Sequence, residues 1–453
     1  MNMVMISKLL KFGRRQLHTI VSRDTIKPSS PTPSHLKTYN LSLLDQFAIN
    51  AFVPVIALYP SSSSNMYRSY HEKTLELKNS LSQTLTRFYP FAGRMIKTDP
   101  TFVDCNDEGV MFIEATNTSS LSDFLQQSEH NDLDQLFPED LIWFKSNYKK
   151  DENNSMIICP LAVQVSHFAC GGVAVATSLS HKIGDANSSL HFIKHWAAVN
   201  HKNATSPIIN PHFISYERRT GKVLTTSEYP LHSDYVTKTF SFSNTKINDL
   251  KTKVTTMTMD SKQPIVNPTR IEALTWLLYK CELAACNKTK SLAFKENIFL
   301  YPINLRSKLI EKLPETSIGN FLGHVMFPIN DDHGDVMPDE FISELRKRKH
   351  KLQNIRNLET IFDQMSSDDT DNIKTVENKD SYYIFSSVCG FRMYDIDFGW
   401  GKPVKVTIFG GTTKNFTVLM DTRDGNGIEV QVSMEKEDMK ILLNDAELLA
   451  FCC

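Results

Sequence analysis

Two runs of alternating apolar residues, separated by paired glycines and leading straight into a helical pattern, limit what this chain can fold into more than any other feature. Leu161-Ala-Val-Gln-Val-Ser-His-Phe-Ala169 alternates like a strand, Gly171-Gly172 supplies a tight reversal, and Val173-Ala-Val-Ala-Thr-Ser-Leu-Ser180 returns. Leu190, Ile193, Trp196 and Ala197 then recur at helical spacing. The order strand, turn, strand, helix predicts an α/β arrangement with Ser180-His181-Lys182-Ile183-Gly184-Asp185-Ala186 at the last junction. His181 ends the strand, and Asp185 falls at or just inside the helix start. A histidine in that position is ordinarily packed or solvated, and an aspartate there is ordinarily a cap. What sets this pair apart is a second rare string far downstream, Asp397-Phe398-Gly399-Trp400-Gly401 followed by Lys402-Pro403.

With 453 residues, 41% of them hydrophobic and 22% charged, the chain has globular composition and length for two or three domain-sized units. A formal net charge of −1 argues against broad attraction to nucleic acid or an anionic membrane, so an anionic ligand needs a local basic pocket. The eight cysteines show no zinc-like Cys-x-x-Cys spacing, and no His-Glu-x-x-His occurs, so no metal site is expected. Reduced thiols in a cytoplasmic setting are expected instead. The longest apolar stretch, Ala51–Tyr59, is too short to span a bilayer and contains Pro54, so it reads as a buried strand.

Residues 1–23 carry Lys8, Lys11, Arg14, Arg15 and Arg23 with no acidic residue, among Leu9, Leu10, Phe12, Leu17, Ile20 and Val21. Two readings stand: a mitochondrial transit segment poor in serine, or a frayed tail. Beyond them, apolar runs and an amphipathic helix near Leu75 to Phe88 lead to a first half ending near His201. Residues 204–233, with Pro207, Pro211 and Pro230 and no sustained periodicity, read as a connection between domains. The expected division is a basic extension 1–24, a first domain 25–203 carrying His181, the crossover 204–233, and a second domain 234–453 carrying the Asp397–Gly401 string. In the second half Thr269 is placed to cap the helix of Ile271, Leu274, Leu277, Leu278 and Cys281. The basic run Arg346-Lys-Arg-Lys-His-Lys351, next to Glu344, reads as a solvated helix face rather than a nucleic-acid patch.

The His-x-x-x-Asp string at His181 and Asp185, with Asp397-Phe-Gly-Trp-Gly401, resembles the marks of the BAHD family of plant acyl-CoA-dependent acyltransferases. Further landmarks are Lys27–Pro33, Leu41-Ser-Leu-Leu-Asp-Gln46, Phe88–Arg94, Val103–Gly109, Asn304-Leu-Arg306 and Ile318-Gly-Asn320, so the resemblance runs from about Ile26 onward. The pattern is most similar to the branch that acylates alkaloid hydroxyls, sugar esters and small alcohols. The resemblance implies two α/β domains of the chloramphenicol-acetyltransferase type, each a mixed sheet flanked by helices, with the active-site channel between them. It implies a monomer that binds no cofactor and uses acyl-CoA as co-substrate, with a small hydroxylated plant metabolite as the other partner.

The same resemblance implies roles. A neutral imidazole titrates near working pH, so His181 can take a hydroxyl proton and return it to the leaving thiolate. Asp185 is expected to turn away from the channel and pair with Arg306, supporting the site rather than relaying protons. Asp397, Gly399, Trp400 and Gly401 are expected to be structural, and Thr269 to lie near CoA. A Gly-x-Ser-x-Gly nucleophile elbow is absent, which disfavours covalent catalysis. The competing class is a catalytically silent binder or scaffold on the same fold, which the intact motifs argue against. The acceptor's identity, the acyl chain length and the oxyanion donors are not legible in the sequence.

Overall fold

The computed structural model describes residues 18–61, 70–96, 99–127, 130–138, 141, 149–150, 156–202, 210–214, 216, 235–289, 297–329, 336–353, 355–361, 382–408 and 415–453. Two six-stranded mixed sheets organise these residues. The first runs His18–Ile26, Val110–Asn117, Leu161–Phe168, Val173–Ser180, Phe52–Tyr59 and Lys405–Thr407. The second runs Tyr235–Ser243, Gly427–Glu435, Phe416–Asp421, Tyr382–Ser387, Asn297–Asn304 and Leu322–Ile329. Each carries helices, so the expected α/β class with two sheet-based units is observed.

The hairpin read from the sequence forms with Leu179 opposite Leu161 and Val173 opposite His167. Gly171 makes its turn at φ +85°, a conformation that a side chain resists. Both strands are buried along their whole length, polar residues included. Helices Tyr70–Arg87 and Ala186–Asn200 place Leu77, Leu81, Leu85, Leu190, Ile193 and Trp196 in the core of this sheet. On the second sheet, Phe299, Tyr301, Val325, Phe327, Tyr383 and Phe385 pack with Trp276 and Tyr279 of helix Arg270–Thr289 and Phe341 and Leu345 of helix Pro338–Gln353. Its opposite face joins the first core through Phe416, Val418 and Met420. A smaller cluster crosses the seam, with Leu44 of the first half against Leu305, Leu309 and Phe321 of the second.

Two boundaries differ from the sequence reading. Residues 18–24, assigned to the extension, belong to edge strand His18–Ile26, paired along Val110–Asn117; its half-buried and exposed positions leave no apolar face to set it apart from the basic stretch before it. Residues 1–17, which carry most of the transit-like character, lie outside the described residues. The Asp397–Gly401 string, placed in the second domain by chain position, sits in space with the first. Phe398 joins the first core, and the following strand Lys405–Thr407 pairs with Phe52–Tyr59. The chain returns because Phe52–Tyr59, buried at every position, needs a partner on its open edge. Most of the crossover 204–233 lies outside the described residues, but its His212–Phe213 pairs in parallel with Ser317–Ile318 of the second half.

The basic run 346–351 is helical, with Arg346 on Glu272 at 2.9 Å and Arg348 on Glu344 at 2.6 Å. Among the described residues no helix is long and apolar enough to cross a membrane, and no cluster of His, Cys, Asp or Glu could hold a metal.

Candidate active site

His181 follows the last residue of strand Val173–Ser180, and helix Ala186–Asn200 begins five residues later. The turn between them is tight. At Gly184 a Cβ would lie 2.7 Å from the Ser188 Cβ, so a glycine is needed for the helix to start this close to the strand. Asp185 is the N-cap and accepts the Ser188 N–H at 2.9 Å. The His181 N–H donates to the Ala51 carbonyl at 2.8 Å, and the Lys182 ammonium to the Gln46 carbonyl at 2.9 Å. The turn is thereby tied to the strand Phe52–Tyr59 and the segment preceding it.

The second half grips the same turn. Arg306 donates through Nη1 to Asp185 Oδ2 at 2.7 Å and through Nη2 to Oδ1 at 3.0 Å, with both residues 1% exposed. The guanidinium also donates to the Ser317 and Gly319 carbonyls and lies 4.7 Å from the Phe321 ring centre. Asp185 further accepts the Phe321 N–H at 3.2 Å and the Ser188 hydroxyl at 3.0 Å. Burial opposes its charge, but Arg306 more than offsets this and holds the carboxyl below its usual value. Its oxygens are engaged by donors other than the His181 ring. Asp185 and Arg306 thus form an ion pair that spans the two halves.

A second tie uses residues quoted among the sequence landmarks but given no role there. Asn320 donates through Nδ2 to the His181 carbonyl at 2.6 Å and to Asp45 Oδ1 at 2.9 Å, and its backbone N–H donates to the same oxygen at 2.7 Å. Asp45, 1% exposed, also closes a capping box with Ser42. Nothing periodic marks such a link, because its members are 275 and 139 residues apart.

The imidazole itself is half-buried. Burial pushes it below 6.5, while its own carbonyl, Asp185 and Asn320 draw it partly back, so the ring is neutral at neutral pH. His324, which the sequence reading missed, stands close enough for the His181 charge to be felt, and burial holds it to about 4. The residue as a whole is nonetheless accessible to solvent, the combination expected of a side chain lining an internal passage. Strand alternation agrees. Gly323, Val325 and Phe327 are buried, the last two in the helix-covered core, so Leu322, His324 and Met326 point to the other face.

Other expected residues lie elsewhere. Asp397 Oδ1 accepts the N–H groups of Gly399, Trp400 and Gly401 at 2.7, 3.0 and 2.9 Å, closing a loop whose glycines sit at φ +93° and +86°. Trp400 packs edge-on to Tyr59 and stacks on Phe398. The Thr269 hydroxyl accepts the Glu272 N–H at 3.1 Å while Glu272 returns to the Thr269 N–H, a capping box at an exposed position. A surface cavity of about 610 Å³ lined by Arg87, His195 and Lys202 lies at the C-terminal ends of two helices, whose negative ends its cations complement.

Two helix-flanked sheets thus meet at a turn that bears a neutral histidine and is clamped from both. Residues 18–449 match the model of the Transferase family, and the chain belongs to that family, the BAHD acyltransferases. It is 33% identical over 444 residues to 17,18-epoxy-17-hydroxycur-19-ene N-malonyltransferase of Strychnos nux-vomica, covering 95% of this chain and 90% of that one. It is 33% identical over 457 residues to deacetylvindoline O-acetyltransferase of Catharanthus roseus, covering 95% and 97%. The crystal structure of vinorine synthase superposes with a TM-score of 0.77 at 29% identity, covering 96% of this chain and 98% of that one.

Proposed function

We propose that this acyltransferase moves an acyl group, acetyl by default, from acyl-CoA to a hydroxyl of a plant specialised metabolite such as an alkaloid, acylated sugar or small alcohol. His181 is the general base. An alcohol at neutral pH is a feeble nucleophile, so its proton must leave as its oxygen attacks the thioester carbonyl. The oxygen–carbon bond forms, the carbon–sulfur bond breaks, and the proton held by His181 passes to the departing thiolate. The observation that carries this reading is the neutral, half-buried imidazole held between both halves, with the accessible His324 beside it. Asp185 and Arg306 hold the turn, Asp397 through Gly401 brace the returning segment, and Thr269 is placed near CoA only by family resemblance. The protein acts as a monomer in the cytoplasm in this reading, with a mitochondrial address as the alternative should residues 1–17 direct it there.

Free-thiol release from acetyl-CoA in the presence of hydroxylated plant metabolites tests the proposal. His181→Ala should lower kcat by about 10² to 10⁴-fold, and equal rates would remove His181 as base. Binding of acyl-CoA with no turnover across an acceptor panel would favour the silent-binder class. The name of the Strychnos nux-vomica relative adds a second reading, an amine nitrogen as acceptor, so the panel includes amines.

A further inference from the structure

We infer that Asn320 sets the tautomer of His181, its side-chain oxygen accepting the Nδ1 proton so that the Nε2 lone pair is the one presented to substrate. This rests on the reading of His181 as the base and adds a positioning residue to it. The orientation of the Asn320 amide is decided by its partners. Its Nδ2 lies 2.9 Å from an Asp45 carboxylate oxygen and 2.6 Å from the His181 carbonyl, both of which can only accept. That leaves Oδ1 on the other branch of the amide, buried and without a partner. His181 Nδ1 is likewise buried and without a partner. One atom accepts and the other can donate. Asn320 is held against the histidine residue by its bond to the His181 carbonyl; burial dominates the ring's proton affinity, and the groups that raise it are its own carbonyl, then Asp185, then the Asn320 side chain. Asp185, the carboxylate that might have served, is engaged by Arg306, Ser188 and Phe321. A histidine with no acceptor at Nδ1 favours the Nε2–H form, which has no lone pair to offer at Nε2, so the seat must select the other tautomer for the base to work.

Nitrogen NMR on the full chain, labelled with ¹⁵N-histidine and assigned through His181→Gln, reads the tautomer directly at neutral pH. The wild-type ring should be the neutral Nδ1–H form, and an Nε2–H ring would overturn the proposal with no variant needed. Asn320→Ala should shift the ring toward Nε2–H and lower kcat by up to about 10⁴-fold with both KM values held, in a protein that still melts cooperatively. A folded alanine variant that retains the wild-type tautomer overturns the assignment. Acyl transfer untouched by His181→Ala would instead retire the base while leaving the tautomer result in place.

Discussion

Asp185 and Arg306 form a two-pronged ion pair, at 2.7 and 3.0 Å, that joins the turn bearing His181 to the other half of the molecule. Removing one partner strands a buried charge, so Asp185→Ala or Arg306→Leu should cost about 3–5 kcal/mol in denaturant unfolding. Activity should fall in step with the folded fraction. Asp185 has a depressed pKa, so its contribution is complete above the ordinary value of 3.8 and disappears only as pH falls through its lower folded value. Asp185→Asn with unchanged melting and activity would show that the clamp is idle.

The pH dependence of kcat/KM, which reports the free enzyme, should place the acid-side inflection below 6.5, because burial depresses His181 and it must be neutral to accept a proton. Asp185 and Lys182 on its own turn, Asn320 and His324 across the seam are the charged, polar and titratable neighbours that set the balance. An inflection clearly above 6.5 would mean that the observed base is another group.

His324→Phe should leave stability within about 0.5 kcal/mol of wild type, since the residue as a whole is exposed. If His324 lines the substrate passage, KM for the acceptor should change severalfold. Identical kinetics across a set of acceptors of different bulk would place the ring outside the passage.

Asp397→Ala withdraws one acceptor from three backbone N–H groups and should destabilise by about 1–3 kcal/mol. Gly401→Ala meets no atom within 4 Å, so its cost should come from φ +86° alone, about 1–2 kcal/mol. In both variants the folded protein should keep its kcat. A selective loss of kcat with unchanged melting would make the loop a participant in chemistry.

His167 is 1% exposed, bonded through Nε2 to the Thr74 hydroxyl at 2.8 Å, and burial lowers it to about 4. The unfolded chain therefore binds more protons than the folded one between pH 4 and 6.5, and stability falls as the solution is acidified across that window. His167→Gln should flatten the fall by about 3 kcal/mol at most. A melting curve whose pH slope matches wild type would mean that other groups dominate the acid transition.

Much of the site was written locally. The hairpin, the glycine turn, the helix start and the Asp185 cap follow from periodicity and turn chemistry within about thirty residues. The His-x-x-x-Asp and Asp-Phe-Gly-Trp-Gly strings added the class of chemistry by resemblance, and the Asp185 to Arg306 pairing came the same way. Edge strand His18–Ile26 was misread because it follows directly on the basic residues Lys8 to Arg15 and is itself half-exposed.

What the chain determined by itself is the type and order of its strongly patterned elements, since strand and helix periodicities depend on near neighbours. Tertiary structure alone decided which distant residues meet at His181, Asn320 through a side-chain amide and His324 through the free face of a sheet edge, and it alone carried the Asp397 loop to the opposite half through an added strand. Such contacts arise from burial and from the need to satisfy buried polar groups across long separations, and neither leaves a period in the sequence.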